Sequence, residues 1–155
     1  MIVLKHYYVN TTKEVDFLSI IHDVRYAIRD ANAKDGLVTV IVPDSSAALT
    51  IIEPIPAVIE ELKIAFEIFA GEGATATDRR KVTIDISPRV QAAMLGRSLS
   101  IPLKDGKLII DPYEEIYLID FDKTGKRRQF CVQVMVEDAP AKPAGQPPKT
   151  APAKK

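Results

Sequence analysis

Few side chains in this 155-residue chain can move protons or bind metals near neutral pH: two histidines, His6 and His22, and one cysteine, Cys131. Imidazole is the usual general base in that range and the commonest metal ligand. Neither histidine has another at i+2, i+3 or i+4, so neither belongs to a paired ligand motif on a strand or helix; each reads as an exposed or packing residue. A single cysteine excludes an intramolecular disulfide and a thiolate metal cage built from one chain. Set among Phe130, Val132, Val134 and Val136, Cys131 reads as a small buried hydrophobe on a strand. Asp44, Glu53, Asp85, Asp111, Asp120 and Asp122 are the residue type that holds a hard cation. Spacing alone does not bring these acids together, so no cofactor is assigned; a divalent metal stays open, with Asp44, Glu53 and Asp85 as candidate ligands, against the alternative that these are ordinary turn and edge acids.

Other motifs are weaker. Ser45 and Ser46 lack a Gly-x-Ser-x-Gly context, so no nucleophile elbow is indicated. Gly71-Glu72-Gly73 lacks the following lysine and hydroxyl residue of a phosphate cradle. The runs Arg79-Arg80-Lys81 and Lys126-Arg127-Arg128 are basic but short, and beside strands such runs read first as solvated edges.

The elements that must position these groups follow from periodicity. Ile2 to Val9 is β-branched and aromatic, hence a strand. Thr11 with Glu14 has the spacing of a capping box, predicting a helix whose apolar face is Phe17, Ile20, Ile21, Val24, Ala27, Ile28 and Ala31. Leu37 to Val42 and Ala47 to Ile52 are predicted as paired strands joined through Pro43-Asp44-Ser45-Ser46, whose short polar side chains favour a turn. After Pro54 and Pro56, Val58, Ile59, Leu62, Ala65, Phe66 and Phe69 mark a second helix, with Glu60, Glu61, Lys63 and Glu67 facing water. Ser87-Pro88 and Gly96 bound a short third helix, with Ser87 expected as its cap. Four further strands, Ser98 to Leu103, Lys107 to Ile110, Glu115 to Phe121 and Arg128 to Glu137, are separated by short turns, implying antiparallel pairing. The fold class is α+β: a two-layer sandwich of helices against a mainly antiparallel sheet.

With 46% hydrophobic and 27% charged residues, the chain has the composition of one ordinary globular domain. We place that domain at residues 1 to 138. Ala139 to Lys155 holds five of the eleven prolines and no bulky apolar side chain, and is expected to be a disordered Pro/Ala/Lys-rich tail. The formal net charge is zero, yet four of the 21 basic residues lie in that tail, leaving 17 against 21 acids and a body near −4. Such a body argues against nucleic-acid binding, which needs a clustered basic face. No apolar stretch approaches the roughly 20 residues of a membrane-spanning helix, and Met1 to Lys5 does not open a secretory signal. A cytoplasmic location is the expectation.

Two collinear blocks carry a resemblance. The first is Gly36-Leu-Val-Thr-Val-Ile-Val-Pro-Asp-Ser-Ser-Ala-Ala-Leu-Thr-Ile-Ile-Glu53. The second is Ala93-Met-Leu-Gly-Arg-Ser-Leu-Ser-Ile-Pro-Leu-Lys-Asp-Gly-Lys107, continued by Ile116 to Asp120 and Gly125 to Arg128. Together they resemble the YjbQ family, of the secondary thiamine-phosphate synthase type, over about two-thirds of the chain. The resemblance implies a YjbQ-like α+β fold, a homotrimer, and a site near Asp44, Glu53 and Arg89.

The departures fall at the chemistry. Where the family has a histidine before two hydroxyl residues, this chain has Asp44-Ser45-Ser46. The family's asparagine-glutamate pair is Ile52-Glu53, Arg89 stands where a histidine is expected, and the later glutamate-histidine pair is Asp120-Phe121. Arginine is permanently charged and phenylalanine neither ligates nor shuttles protons. Family-equivalent catalytic candidates are thus Asp44, Glu53, Arg89 and Asp120, and ligand-binding candidates Ser45, Ser46 and Arg89, with Arg89 free to hold an anion or to pair with Asp44 or Asp85. Three readings follow: a noncatalytic member binding a small phosphate-containing ligand, an enzyme with a rebuilt site, or an interaction module recruiting a partner through its tail.

Overall fold

A computed structural model describes residues 1–71 and 73–137. Glu72, Asp138 and the proposed tail Ala139 to Lys155 lie outside the described residues. Among those described are ten strands and three helices: β1 (Ile2–Asn10), β2 (Asp16–Ser19), α1 (Ile21–Asp30), β3 (Gly36–Ile41), β4 (Ala47–Ile52), α2 (Pro56–Phe69), β5 (Thr75–Thr77), β6 (Thr83–Asp85), α3 (Ser87–Leu95), β7 (Ser98–Lys104), β8 (Lys107–Leu108), β9 (Glu115–Asp120) and β10 (Arg127–Val136). Every strand pairing is antiparallel, and the fold is α+β.

Two sheets make the body. The larger runs β1-β10-β3-β7-β8 and the smaller β2-β9-β4, with β5-β6 as a separate ribbon. Period-two alternation puts Val38 and Val40 of β3, Ile101 and Leu103 of β7, and Phe130, Val132 and Val134 of β10 on the inner face of the large sheet. They form the main core with α1 (Ile21, Val24, Ala27, Ile28) and one face of the small sheet (Ala47, Leu49, Ile116, Leu118). The other face of the small sheet, Ala48, Ile119 and Phe121, packs with Ala92 of α3 and with Phe17, Phe66 and Leu95. Covered on both sides, β9 is buried from Ile116 to Asp120, which is why it reads as a nearly continuous apolar run.

The structure corrects three local expectations. The stretch Thr11 to Ser19 is not helical: Thr12 hydrogen-bonds Asp16, and Asp16–Ser19 is claimed as an edge strand by β9, so α1 begins only at Ile21. β3 and β4 are not partners; the chain crosses at Pro43-Asp44-Ser45-Ser46 from the large sheet to the small one. Ser87 does not cap α3, because its hydroxyl donates to the carbonyl of Gly71, 2.6 Å away.

Two surfaces stay uncovered. The outer face of the large sheet presents Ile2, Leu4, Tyr8, Leu37, Ile41 and Met135, each more than a third exposed. On α2, the expected interior positions Val58 and Phe69 are exposed, as are Ile64 and Ile68, while Ile59, Leu62 and Phe66 are half-buried.

Candidate functional site

The crossing between the sheets assembles the most elaborate polar cluster among the described residues. Arg128 stands in phase with Phe130, Val132 and Val134, so its side chain enters the gap between the sheets and is 3% exposed. Asp120, at the end of β9, faces the same gap and is fully buried. The pair is bidentate: Arg128 Nε donates to Asp120 Oδ2 and Nη2 to Oδ1, both at 2.9 Å. Nη2 also donates to the Ser46 hydroxyl at 3.0 Å, and Nη1 donates to Asp44. Asp44 is held in place by a turn of its own making, its Oδ1 accepting both the amide and the hydroxyl of Ser46 at 3.1 Å. Asp122 lies 3.5 Å from Arg128 and 2.9 Å from Lys126, so two cations face three carboxylates.

The electrostatics follow from burial against pairing. Burial pushes the Asp44 carboxyl up, but the hydrogen bonds of Ser46 and the charge and hydrogen bond of Arg128 outweigh it, holding the group below the ordinary carboxylate range. Burial acts to lower Arg128, and Asp120 and Asp44 more than reverse it. A carboxylate whose folded value is depressed stabilises the protein above its unfolded value, and that contribution disappears as pH falls through the folded value. The Asp44→Asn variant is therefore expected to be less stable than the parent by on the order of 1 kcal/mol at pH 7, discounted for the exposed third of the side chain. The two unfolding midpoints should converge as the pH of a urea titration is lowered toward 3; a gap that widened on acidification would contradict this assignment.

Next to the cluster lies a cavity of about 440 Å³ between α2, α3 and the β9–β10 turn, lined by Glu67, Asp85, Ser87, Gln91, Phe121 and Asp122 among others. Gln91 is 4% exposed and spends its Nε2 on the carbonyls of Phe66 and Ala70, closing the end of α2. Phe121 is buried edge-on against Phe66, with ring centroids 4.9 Å apart. Asp122 joins the two regions, lining the cavity and approaching Arg128.

The candidates read from sequence separate. Asp44, Ser46 and Asp120 come together around Arg128, a member of a basic run that by sequence alone resembles a solvated edge. The signal for Arg128 was its register with three inward apolar residues of β10. Asp44 pairs with Arg128 and not with Arg89, which donates instead to the Asp85 carbonyl at 3.3 Å. Ser45 is exposed, and the Ser46 hydroxyl is committed within the cluster. Glu53 follows the far end of β4; at about 3.3 Å per residue it stands roughly 20 Å along the strand from Ser46. Among the described residues no three His, Cys, Asp or Glu side chains converge as a metal site, so Asp44, Glu53 and Asp85 do not form one within a single chain. Cys131 is half-buried on the outer face of the large sheet, 3.3 Å from His6 Nδ1, and not in the core. His22 is exposed on α1.

Fold and site together define an antiparallel α+β sandwich closed at one end by an ion cluster. Residues 5–137 match the family described as UPF0047 protein YjbQ-like, and the chain belongs to that family. It is 28% identical over 118 residues to a UPF0047 protein of Archaeoglobus fulgidus, covering 76% of this chain and 90% of that protein. A UPF0047 protein of Methanocaldococcus jannaschii is 25% identical over 139 residues, covering 87% and 98%. The crystal structure of a YbjQ-like protein of unknown function from Sulfolobus solfataricus superposes with a TM-score of 0.80 at 21% identity, over 88% of this chain and 99% of that one, a likeness of fold.

Proposed function

We propose that this protein is a noncatalytic member of the YjbQ family that retains the scaffold and binds a small phosphate-containing ligand at the cavity bounded by α2, α3 and the β9–β10 turn. The observation that carries this reading is the fate of the positions where the resemblance expects histidines. Asp44 is consumed by Arg128 and Ser46, Phe121 is packed on Phe66, and Arg89 is a permanent cation beside Pro88 of the cavity wall. None offers a group that releases and accepts a proton near neutral pH, whereas Lys123 and Thr124 in the cavity wall, and Arg89 next to Pro88 outside its lining, offer donors suited to phosphate oxygens. We further propose a cytoplasmic homotrimer, supported by the two apolar surfaces that one chain leaves uncovered.

The test is titration with thiamine phosphate alongside an assay for thiamine-phosphate synthase turnover. Saturable binding that weakens about tenfold in Arg89→Ala, as expected for loss of a charge-assisted contact, with no turnover, is the expected result. Turnover abolished by Glu53→Gln would replace this reading with that of an enzyme whose site is rebuilt.

A further inference from the structure

The second concave site lies at α1, away from the ion cluster. His22, Arg25 and Arg29 are spaced i, i+3 and i+7, one exposed stripe along α1 that flanks the buried face of Ile21, Val24, Ala27 and Ile28. The β7–β8 hairpin faces this stripe and brings Lys107, so that all four border one cavity of about 580 Å³ floored by Ile28, Leu108 and Ile110. The opposing wall is fixed relative to the helix. The Gly106 amide donates to the Lys34 carbonyl at 2.9 Å, and Asp35 accepts from the Asp105 amide at 2.9 Å and from Lys104 at 3.2 Å. Gly106, at φ +76°, makes the tight turn that lets the hairpin reach across.

Positive charge is in excess there. Among the described residues, the side chains of Arg25, Arg29 and Lys107 have no hydrogen-bond or ion-pair partner. One acid, Asp111, also lines the cavity while accepting the Tyr113 amide at 2.9 Å, so three cations face one carboxylate. At the cavity beside Phe66, by contrast, Lys63 and Lys123 are matched by Glu60 and Glu67. Three like charges held around one concavity repel one another, a cost that a bound anion reverses, and two guanidiniums present forked donors matched to phosphate or carboxylate oxygens.

We propose that the groove between α1 and the β7–β8 hairpin is a binding site for a small organic polyanion, with Arg25, Arg29 and Lys107 as its anion-holding residues. The site is independent of the one proposed beside α3. Calorimetric titration of the full chain with inorganic pyrophosphate at low salt, and in parallel with citrate, tests it and separates phosphate from carboxylate ligands. Saturable binding of either anion is expected, weakened at least about tenfold in the Arg25→Ser/Arg29→Ser double variant and weakened in Lys107→Ala. These side chains are exposed and make no internal contact that folding requires, so the variants remain folded. Absence of saturable binding to both anions, or an unchanged affinity in the double variant, overturns the proposal. So does binding lost in Arg89→Ala alone, which would locate the anion beside α3.

Discussion

Replacing Arg128 with alanine should lower the stability of this protein by about 3–5 kcal/mol, the cost of leaving a buried charge without its partner. Asp120 is fully buried, and both its oxygens accept from Arg128; without the guanidinium only the Asp122 amide remains on Oδ1. Ser46 and Asp44 lose a donor in the same step. The measurement is a urea midpoint at constant slope. The companion variant Arg128→Met with Asp120→Leu removes both members of the pair, and should recover most of the loss because neither charge then has to be desolvated. A single-variant cost below about 1 kcal/mol would mean that water reaches the pair, in conflict with its burial.

Phe121→Ala should cost a similar amount, about 3–5 kcal/mol, because a buried ring is lost and the cavity left behind does not fully collapse. Phe121 packs against Phe66 and sits with Ala48, Ala92 and Ile119 in the smaller core, the layer that fastens α2 and α3 to the small sheet. The loss should appear as a lower thermal midpoint together with a weakened phosphate-ligand affinity, since the same ring lines the cavity. If stability falls and affinity does not, the ligand is not held there. Where the resemblance expects a side chain that takes part in chemistry, this chain has one whose contribution is packing.

How much of this was readable beforehand depended on the range of the interaction. α3 follows from its boundary residues, Ser87-Pro88 and Gly96, and the strands β7, β9 and β10 from apolar-rich runs between short turns. Thr11 to Ser19 misleads because a local capping spacing competes with a distant claim: β9, about a hundred residues later, takes Asp16–Ser19 as its edge. The crossing at Asp44 misleads for a related reason, in that four turn-forming residues fit a hairpin and a change of sheet equally well. Of the site, Asp44, Ser46 and Asp120 could be singled out as polar residues in informative places. Their convergence could not, because Arg128 meets Asp44 across 84 positions of sequence and Asp120 across eight. The charged run containing Arg128 hid a residue whose phase with Phe130 pointed inward.

The strand order of the large sheet has a kinetic consequence. β10 lies in its interior, between β1 and β3, and the Met1 amine reaches the Val136 carbonyl at 2.7 Å. β3 can pair with β7 once residue 104 is made, but β1 has β10 as its neighbour in this sheet and must wait until residue 136 has left the ribosome. During synthesis β1 is an unpaired nine-residue apolar edge. Closing it against β10 joins segments more than a hundred residues apart, the kind of contact that slows folding. The β3-β7-β8 part of the large sheet and then the small sheet need nothing beyond β9, so both can form earlier, giving the nascent chain a nucleus onto which β10 and β1 close.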